Sequence, residues 1–296
     1  MIRYAKPALW KNRLGTSLMV GGWLSLSLWL AWSVAASGAF AGAPTASSPV
    51  TDEGEMVLIP AGEFTMGHPG SYDTQPVGRI PLPAFYIDKY EVTNKRYKRF
   101  IDATGHKVPW SLEPAAEPYK WDWQARMYPT GKGDDPVVLV SWEDAKAFCA
   151  WAGKSLPTEA QWEKAARGAN GKSYPWGNDW LDKHANTIES GLRQTSPVGM
   201  FERDISEYGV YDMAGNVSEW VEDWFVMYSG NSFTNYDAGE KYKVLRGGSW
   251  DYFKSIATGY HRQYALPHSQ MTAIGFRCAK AADGSGGTSP PKAEAR

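Results

Sequence analysis

The sequence predicts a mixed α+β domain in which short helices and strands are joined by long stretches of irregular backbone. Three observations point there. The 296 residues include 15 Trp and 16 Tyr beside 30 Gly and 19 Pro, a mixture that suits a turn-rich chain pinned by large amphipathic rings. Helical periodicity with capping residues appears in only three short windows, separated by apolar runs that Gly and Pro interrupt. Hydrophobic residues make up 43% of the chain, enough for a real core, and no low-complexity break divides the part from Met56 to Lys280, so it reads as one domain.

"MVLIPAGEFTMG" opens the domain with an apolar run, a Pro-Ala-Gly turn and an alternating Phe64/Met66 segment, which predicts a hairpin. In "FYIDKYEVTNKRYKRFIDATG" a strand-like run passes into a helix, with Thr93 as N-cap and Tyr97, Phe100 and Ile101 on one face. "VVLVSWEDAKAFCAWAG" repeats the design: Ser141 caps with Asp144 three residues on, Trp142, Ala145, Phe148, Cys149 and Ala152 form the buried stripe, and Gly153 ends it. In "SLPTEAQWEKAARG", Pro157 and Thr158 suit a first helical turn, Glu159, Glu163 and Arg167 match the helix dipole, and Gly168 stops the helix. "YPWGNDW", "YDMAGNVSEWVEDW" and "RGGSWDY" then read as turns flanked by aromatics and short strands.

The ends read differently. Arg3, Lys6, Lys11 and Arg13 precede an uncharged run from Leu14 to Thr51, followed within it by the small-residue site Ala39-Phe40-Ala41. That order predicts a secretory signal over 1–41 without a twin arginine, the alternative being an uncleaved anchor, since the apolar run is long enough to span a bilayer. Residues 42–55 read as a linker and 281–296 as a disordered tail, leaving 56–280 as the domain. A periplasmic or secreted location follows, with membrane contact only through the N-terminal segment. There the two cysteines, Cys149 and Cys278, read as one disulfide or as a pair of buried thiols.

The formal net charge is −1, so there is no basic excess to meet a phosphate backbone, and nucleic acid is not an expected partner. Walker, dinucleotide-binding, metalloprotease and serine-elbow motifs are missing from the sequence. The stretch "VLRGGSWDYFKSIATGYHRQY", Val244 to Tyr264, is what most resembles a site. Trp250 and Tyr260 suit substrate binding, and Asp251, Tyr252, His261 and Arg262 are the candidates for orientation or proton transfer. In "YDMAGNVSEW" the carboxylates of Asp212 and Glu219 flank a tight turn whose carbonyls face the same place, which reads either as a Ca²⁺ cage or as a hairpin turn with solvated acids. Glu222 and Asp223 read as a solvated edge.

"MVLIPAGEFTMG", "YEVTNKRYKRFI", "PVVLVSWEDAKAFCAWAGKSLPTEAQWEKAARG", "YPWGND", "GVYDMAGNVSEWVEDWF", "VLRGGSW" and "IGFRCAK" occur in the order seen in the formylglycine-generating enzyme (sulfatase-modifying factor) family, which the chain resembles over nearly its whole folded region. The resemblance implies the family's mixed α+β fold, poor in regular secondary structure and related to C-type lectins. It implies a Cys149–Cys278 disulfide, as in secreted members, and a calcium site of the Asp212 and Glu219 side chains with the Gly215 and Val217 carbonyls. A second calcium site would use Asn186 and the Thr187 carbonyl, but Ser190 stands where the family has an aspartate, with Glu189 beside it.

The family's characterised enzymes oxidise a sulfatase cysteine with O₂ and Cu(I) held by two thiolates, because soft thiolates select Cu(I). Aligned from Gly247-Gly248, those positions hold Tyr252 and Ala257, so copper chemistry by that route is not expected; His261 and His268 are nearby. Branches without the cysteine pair include exported proteins of pyoverdine maturation and proteins accompanying nitrite reductase. Three roles follow: maturation of a peptide, protein or peptide-derived substrate outside the cytoplasm; a non-catalytic, calcium-stabilised module presenting its aromatic loop to a peptide, glycan or protein; and formylglycine generation at an atypical metal site.

Overall fold

A computed structural model of the chain describes residues 54–282. The expected signal or anchor, most of the linker and residues 283–296 lie outside the described part.

Elements follow one another as β1 (Met56–Ile59), β2 (Gly62–Met66), β3 (Gly78–Leu82), β4 (Phe85–Asp88), α1 (Asn94–Thr104), α2 (Trp142–Trp151), α3 (Glu159–Arg167), β5 (Ser218–Trp224), β6 (Lys243–Arg246), β7 (Gln263–Ala265), β8 (Ile274–Phe276) and β9 (Ala279–Ala281), with short 3₁₀ turns between. They form three small sheets, ordered β1-β4-β9, β2-β3 and β7-β6-β5-β8. All pairings are antiparallel except β5 with β8.

The helix starts are set by side chains that satisfy otherwise unpaired backbone donors. The Thr93 hydroxyl accepts the Arg96 N–H at α1, and reciprocal capping boxes fix α2 through Ser141 and Asp144 and α3 through Thr158 and Gln161. Their apolar faces bury Tyr97, Phe100 and Phe148 against Trp220 and Phe276. The Cys149–Cys278 disulfide forms inside this cluster and ties α2 to the β8–β9 turn across 129 residues.

The expected β1–β2 hairpin does not form. β1 pairs with β4, while β2 pairs with β3 in a separate sheet. The Lys164 ammonium of α3 donates to the Pro60 and Gly62 carbonyls at 2.6 and 2.9 Å, so the Pro-Ala-Gly turn is tied to α3 where the chain passes from one sheet to the other. At the domain edges, the Glu55 carbonyl accepts the Lys89 N–H and the β4–β9 ladder reaches Ala281.

Candidate recognition loop and buried carboxylate centre

The 247–262 loop leaves β6 and returns as β7, and two glycines shape its exit. Gly247 and Gly248 have φ of 93° and 74°, and a Cβ on Gly248 would sit 2.9 Å from the Ala257 Cα. Only glycine allows that backbone at that approach. Ala257 is fully buried in a side cluster with Tyr174, Ala185 and Ala214. Trp250 donates its backbone N–H to the Asn216 carbonyl at 3.0 Å and its indole N–H to the Thr272 carbonyl at 3.3 Å. Its ring lies over Tyr119 with centroids 6.4 Å apart. Asp251 accepts the Ser249 hydroxyl at 2.6 Å. Beyond this base the chain turns outward, leaving Tyr252 38% and Phe253 61% exposed. Burial and the Asp251 charge both push the Tyr252 hydroxyl above the usual tyrosine range, with a Gln263 hydrogen bond opposing them.

Tyr260 and His261 belong to a second group, where the loop comes back against residues 67–74. Tyr260 stacks on His68 with centroids 3.9 Å apart, and the Arg167 guanidinium lies 5.3 Å from the Tyr260 ring. Burial pushes His261 below the usual histidine range; the Asp73 carboxylate opposes this and Arg246 adds to it. Uncharged at neutral pH, this imidazole suits a proton acceptor. His268, in the turn between β7 and β8, is exposed.

Arg262 does not belong with these candidates. Its guanidinium donates to both Glu159 carboxylate oxygens at 2.7 and 3.0 Å and to the Asp73 and Val226 carbonyls at 3.0 Å each. The Phe225 and Tyr228 rings lie 4.8 and 4.5 Å from it. It is 3% exposed and acts as a strut.

That strut is one member of an ion network that local sequence reading missed. Glu159 accepts Arg246 at 2.8 Å as well as Arg262, while Glu163 pairs with Arg246 at 2.6 Å and with Arg167. Glu163 also accepts the Gly67 N–H at 2.8 Å. Burial opposes ionisation of Glu159, but Arg262 and Arg246 hold its carboxyl below the usual range. The two α3 acids that the sequence reading assigned only to the helix dipole thus form the floor of the loop. Asp223, read as a solvated edge, instead accepts the Glu159 N–H at 2.6 Å, and its carboxyl is pushed up to about 6 by burial and the Glu159 charge.

Beside this floor lies a second ionic centre. Glu219 binds Arg277 through both oxygens at 2.7 Å each and accepts the Trp162 indole N–H at 2.9 Å. Asp212, in a left-handed conformation at φ 57°, accepts the Gly199 N–H at 2.6 Å. Glu91 holds the tip of the Asp212–Glu219 turn by accepting the Asn216 side-chain amide at 2.6 Å and the Val217 N–H at 3.2 Å. Asp204 accepts the Ala214 N–H at 3.1 Å, and its second oxygen is buried with no partner. These four acids are each at most 2% exposed, and Arg277 is the cation their charges meet. Burial, reinforced by mutual repulsion, raises Glu91 and Asp204 well above the carboxylate range and pushes Asp212 up to about 7.

The donor set fits a hard cation: the centre is short of positive charge, it has an orphaned carboxylate oxygen, and among the described residues the Gly215 and Val217 carbonyls accept no hydrogen bond. Among the described residues no three His, Cys, Asp or Glu side chains are arranged to hold a metal, but two carboxylates with two backbone carbonyls fall outside such a grouping. The second expected calcium site is different. The Asn186 Oδ1 atom accepts the Ser190 hydroxyl at 3.0 Å and the Thr187 carbonyl accepts the Ser190 N–H at 2.9 Å. The serine in place of the family aspartate thus satisfies both ligand atoms internally. Glu189 turns away to the loop, where it accepts the Lys254 N–H.

Comparison with known proteins agrees with this architecture. The family profile described as "Sulfatase-modifying factor enzyme 1-like domain" matches residues 42–282. A formylglycine-generating enzyme of Streptomyces coelicolor is 35% identical, the match covering 80% of this chain and 92% of that one. Among solved structures, PvdO from Pseudomonas aeruginosa is similar with a TM-score of 0.61 and 30% identity, covering 76% of this chain and 93% of that one. Treponema denticola variable protein 1 follows with a TM-score of 0.60 and 25% identity, covering 76% and 94%. The chain belongs to the sulfatase-modifying factor (formylglycine-generating enzyme) family.

Proposed function

We propose that this protein recognises a peptide or protein segment outside the cytoplasm with its 250–260 loop and takes part in maturing it, by a route other than copper-dithiolate formylglycine formation. The observation that carries the reading is the rigidly based, outward-facing pair Tyr252 and Phe253, 38% and 61% exposed. Tyr252 takes the first position that corresponds to a family thiolate, and the second holds the buried Ala257. Exposed aromatics on a fixed base are what interface hot spots use. Asp251, Tyr252 and His261 remain the groups available for proton transfer. Export is supported by the basic, apolar and small-residue order of the N-terminus and by a disulfide that an oxidising compartment maintains.

Calcium completes this reading. Asp212, Glu219 and the Gly215 and Val217 carbonyls would hold it, and the ion would neutralise the buried acids. The same turn accepts the Trp250 N–H through the Asn216 carbonyl, so its order is transmitted to the loop base.

A second reading, a binding module without catalysis, is favoured by the locking of Arg262 and the burial of Ala257. Selection from a displayed peptide library, followed by mass spectrometry of the bound peptides after incubation, separates the two. Loop-dependent enrichment with a mass change supports maturation. Enrichment without one moves the protein to the module reading, and no enrichment that depends on Tyr252 and Phe253 sinks both.

A further inference from the structure

The recognition loop is held at its tip by a group the family motifs do not contain. Residues 251–255 are exposed and make few apolar contacts, the composition of a segment that would ordinarily fray. Yet three donors, making four hydrogen bonds, bind it to the neighbouring 174–190 segment. The Lys254 N–H reaches both oxygens of Glu189 at 3.1 Å. The Ile188 N–H donates to the Tyr252 carbonyl at 3.0 Å, and the Tyr174 hydroxyl donates to the Lys254 carbonyl at 3.3 Å. Glu189 is itself fixed by the Thr187 hydroxyl at 2.8 Å, and Thr187 is fully buried. The exposed tip is therefore clamped on both sides of Phe253, through backbone groups that do not depend on what its side chains do.

From this geometry we infer that Glu189 is a positioning residue, a latch that fixes the orientation in which Tyr252 and Phe253 meet their partner. The inference rests on the loop being the recognition surface. It also explains how an exposed aromatic pair is pre-organised, since ordering a loop before binding spares that cost at the moment of association. Burial opposes ionisation of Glu189, but hydrogen bonds from Thr187 and Lys254 hold its carboxyl below the usual glutamate range, so the acceptor is charged throughout the neutral range. Glutamine at this position keeps one acceptor oxygen and loses the charge; alanine keeps neither.

Limited trypsin digestion reads the latch directly, because Lys254 lies at its centre and cleavage needs the tip to open. Cleavage after Lys254, followed by mass spectrometry, is expected to be about tenfold faster in Glu189→Ala than in wild type, with Glu189→Gln between them and the melting temperature within about 2 °C. Equal rates in folded wild type and Glu189→Ala would overturn the inference. Should the variant fail to fold, amide exchange of wild-type Lys254 decides: protection at least tenfold beyond an open chain is expected, and free exchange refutes the latch. Both readouts are independent of any ligand. If no peptide binds while the latch result holds, only the recognition reading fails. If a peptide binds wild type and Glu189→Ala equally well, the latch does not aim the pair.

Discussion

Calcium removal should invert the pH dependence of stability. In the metal-free protein the Asp212 carboxyl, ordinarily near 3.8, is pushed up to about 7 by burial and by its acidic neighbours. The folded state therefore binds the proton more tightly than the unfolded chain. Its contribution is fully present below about pH 4 and is lost as pH rises through about 7. A rise of about three pH units corresponds to roughly 4 kcal/mol for Asp212 alone, with Glu91 and Asp204 acting in the same direction. Between pH 5 and pH 8 roughly 3 kcal/mol of this is lost, for a domain of this size a fall of roughly 6–12 °C in melting temperature. Calcium bound as proposed would hold the same carboxylates ionised, so its stabilisation should grow over the same interval. The assay is thermal unfolding at pH 5 and pH 8, with EGTA or with millimolar calcium. Subtracting the two conditions removes Asp223, whose raised pKa acts equally in both. In Asp212→Asn the calcium-dependent part of the slope should largely disappear. A calcium shift no larger at pH 8 than at pH 5 would refute the placement of the ion among these acids.

Other expectations concern stability and metal choice. Replacing both Cys149 and Cys278 by alanine releases a loop of 129 residues, which should cost about 5 kcal/mol, measured as the urea midpoint; a cost below about 1 kcal/mol would count against the bridge as a major fold constraint. Glu159→Ala leaves Arg246 and Arg262 buried without their shared carboxylate and should cost roughly 3–5 kcal/mol in the same assay. Gly248→Ala forces a Cβ to within 2.9 Å of the Ala257 Cα at φ 74°; it should cost about 2–3 kcal/mol and raise proteolysis of the loop before that of the core. Titration with Cu(I) against a chelating competitor should show no stoichiometric high-affinity site, since Tyr252 and Ala257 offer no thiolates.

Local chemistry was the legible part of this chain. Caps at Thr93 and Ser141 depend on residues three positions on, so they are visible in the sequence and appear in the fold; Thr158, read as part of a first turn, is the N-cap of α3. The two cysteines left a disulfide and a pair of buried thiols open, and the family resemblance implied the bridge that forms. The pairings that missed are non-local. β1 pairs with β4 over its sequence neighbour, and the turn between β1 and β2 is held by Lys164, over a hundred positions away. Arg262 looked available because its partner Glu159 lies 103 residues earlier. The ion network around Glu159 and Glu163 stayed hidden because a dipole argument explains a helix end equally well, whether it is wet or packed against an arginine. Glu189 carried a faint signal, an acid beside a serine where an aspartate was expected, but its partner is a backbone N–H, which no side-chain pattern announces.

The central claim is the proposal that Tyr252, at a position corresponding to the family's thiolate site, and Phe253 beside it contact the partner. The most direct test is the equilibrium affinity of a library-selected peptide for wild type and for Tyr252→Ala/Phe253→Ala, with melting temperatures measured in parallel. The account predicts at least a thirtyfold loss of affinity, the scale of a hot-spot pair, at unchanged melting temperature. Equal affinity in a folded double variant would contradict it.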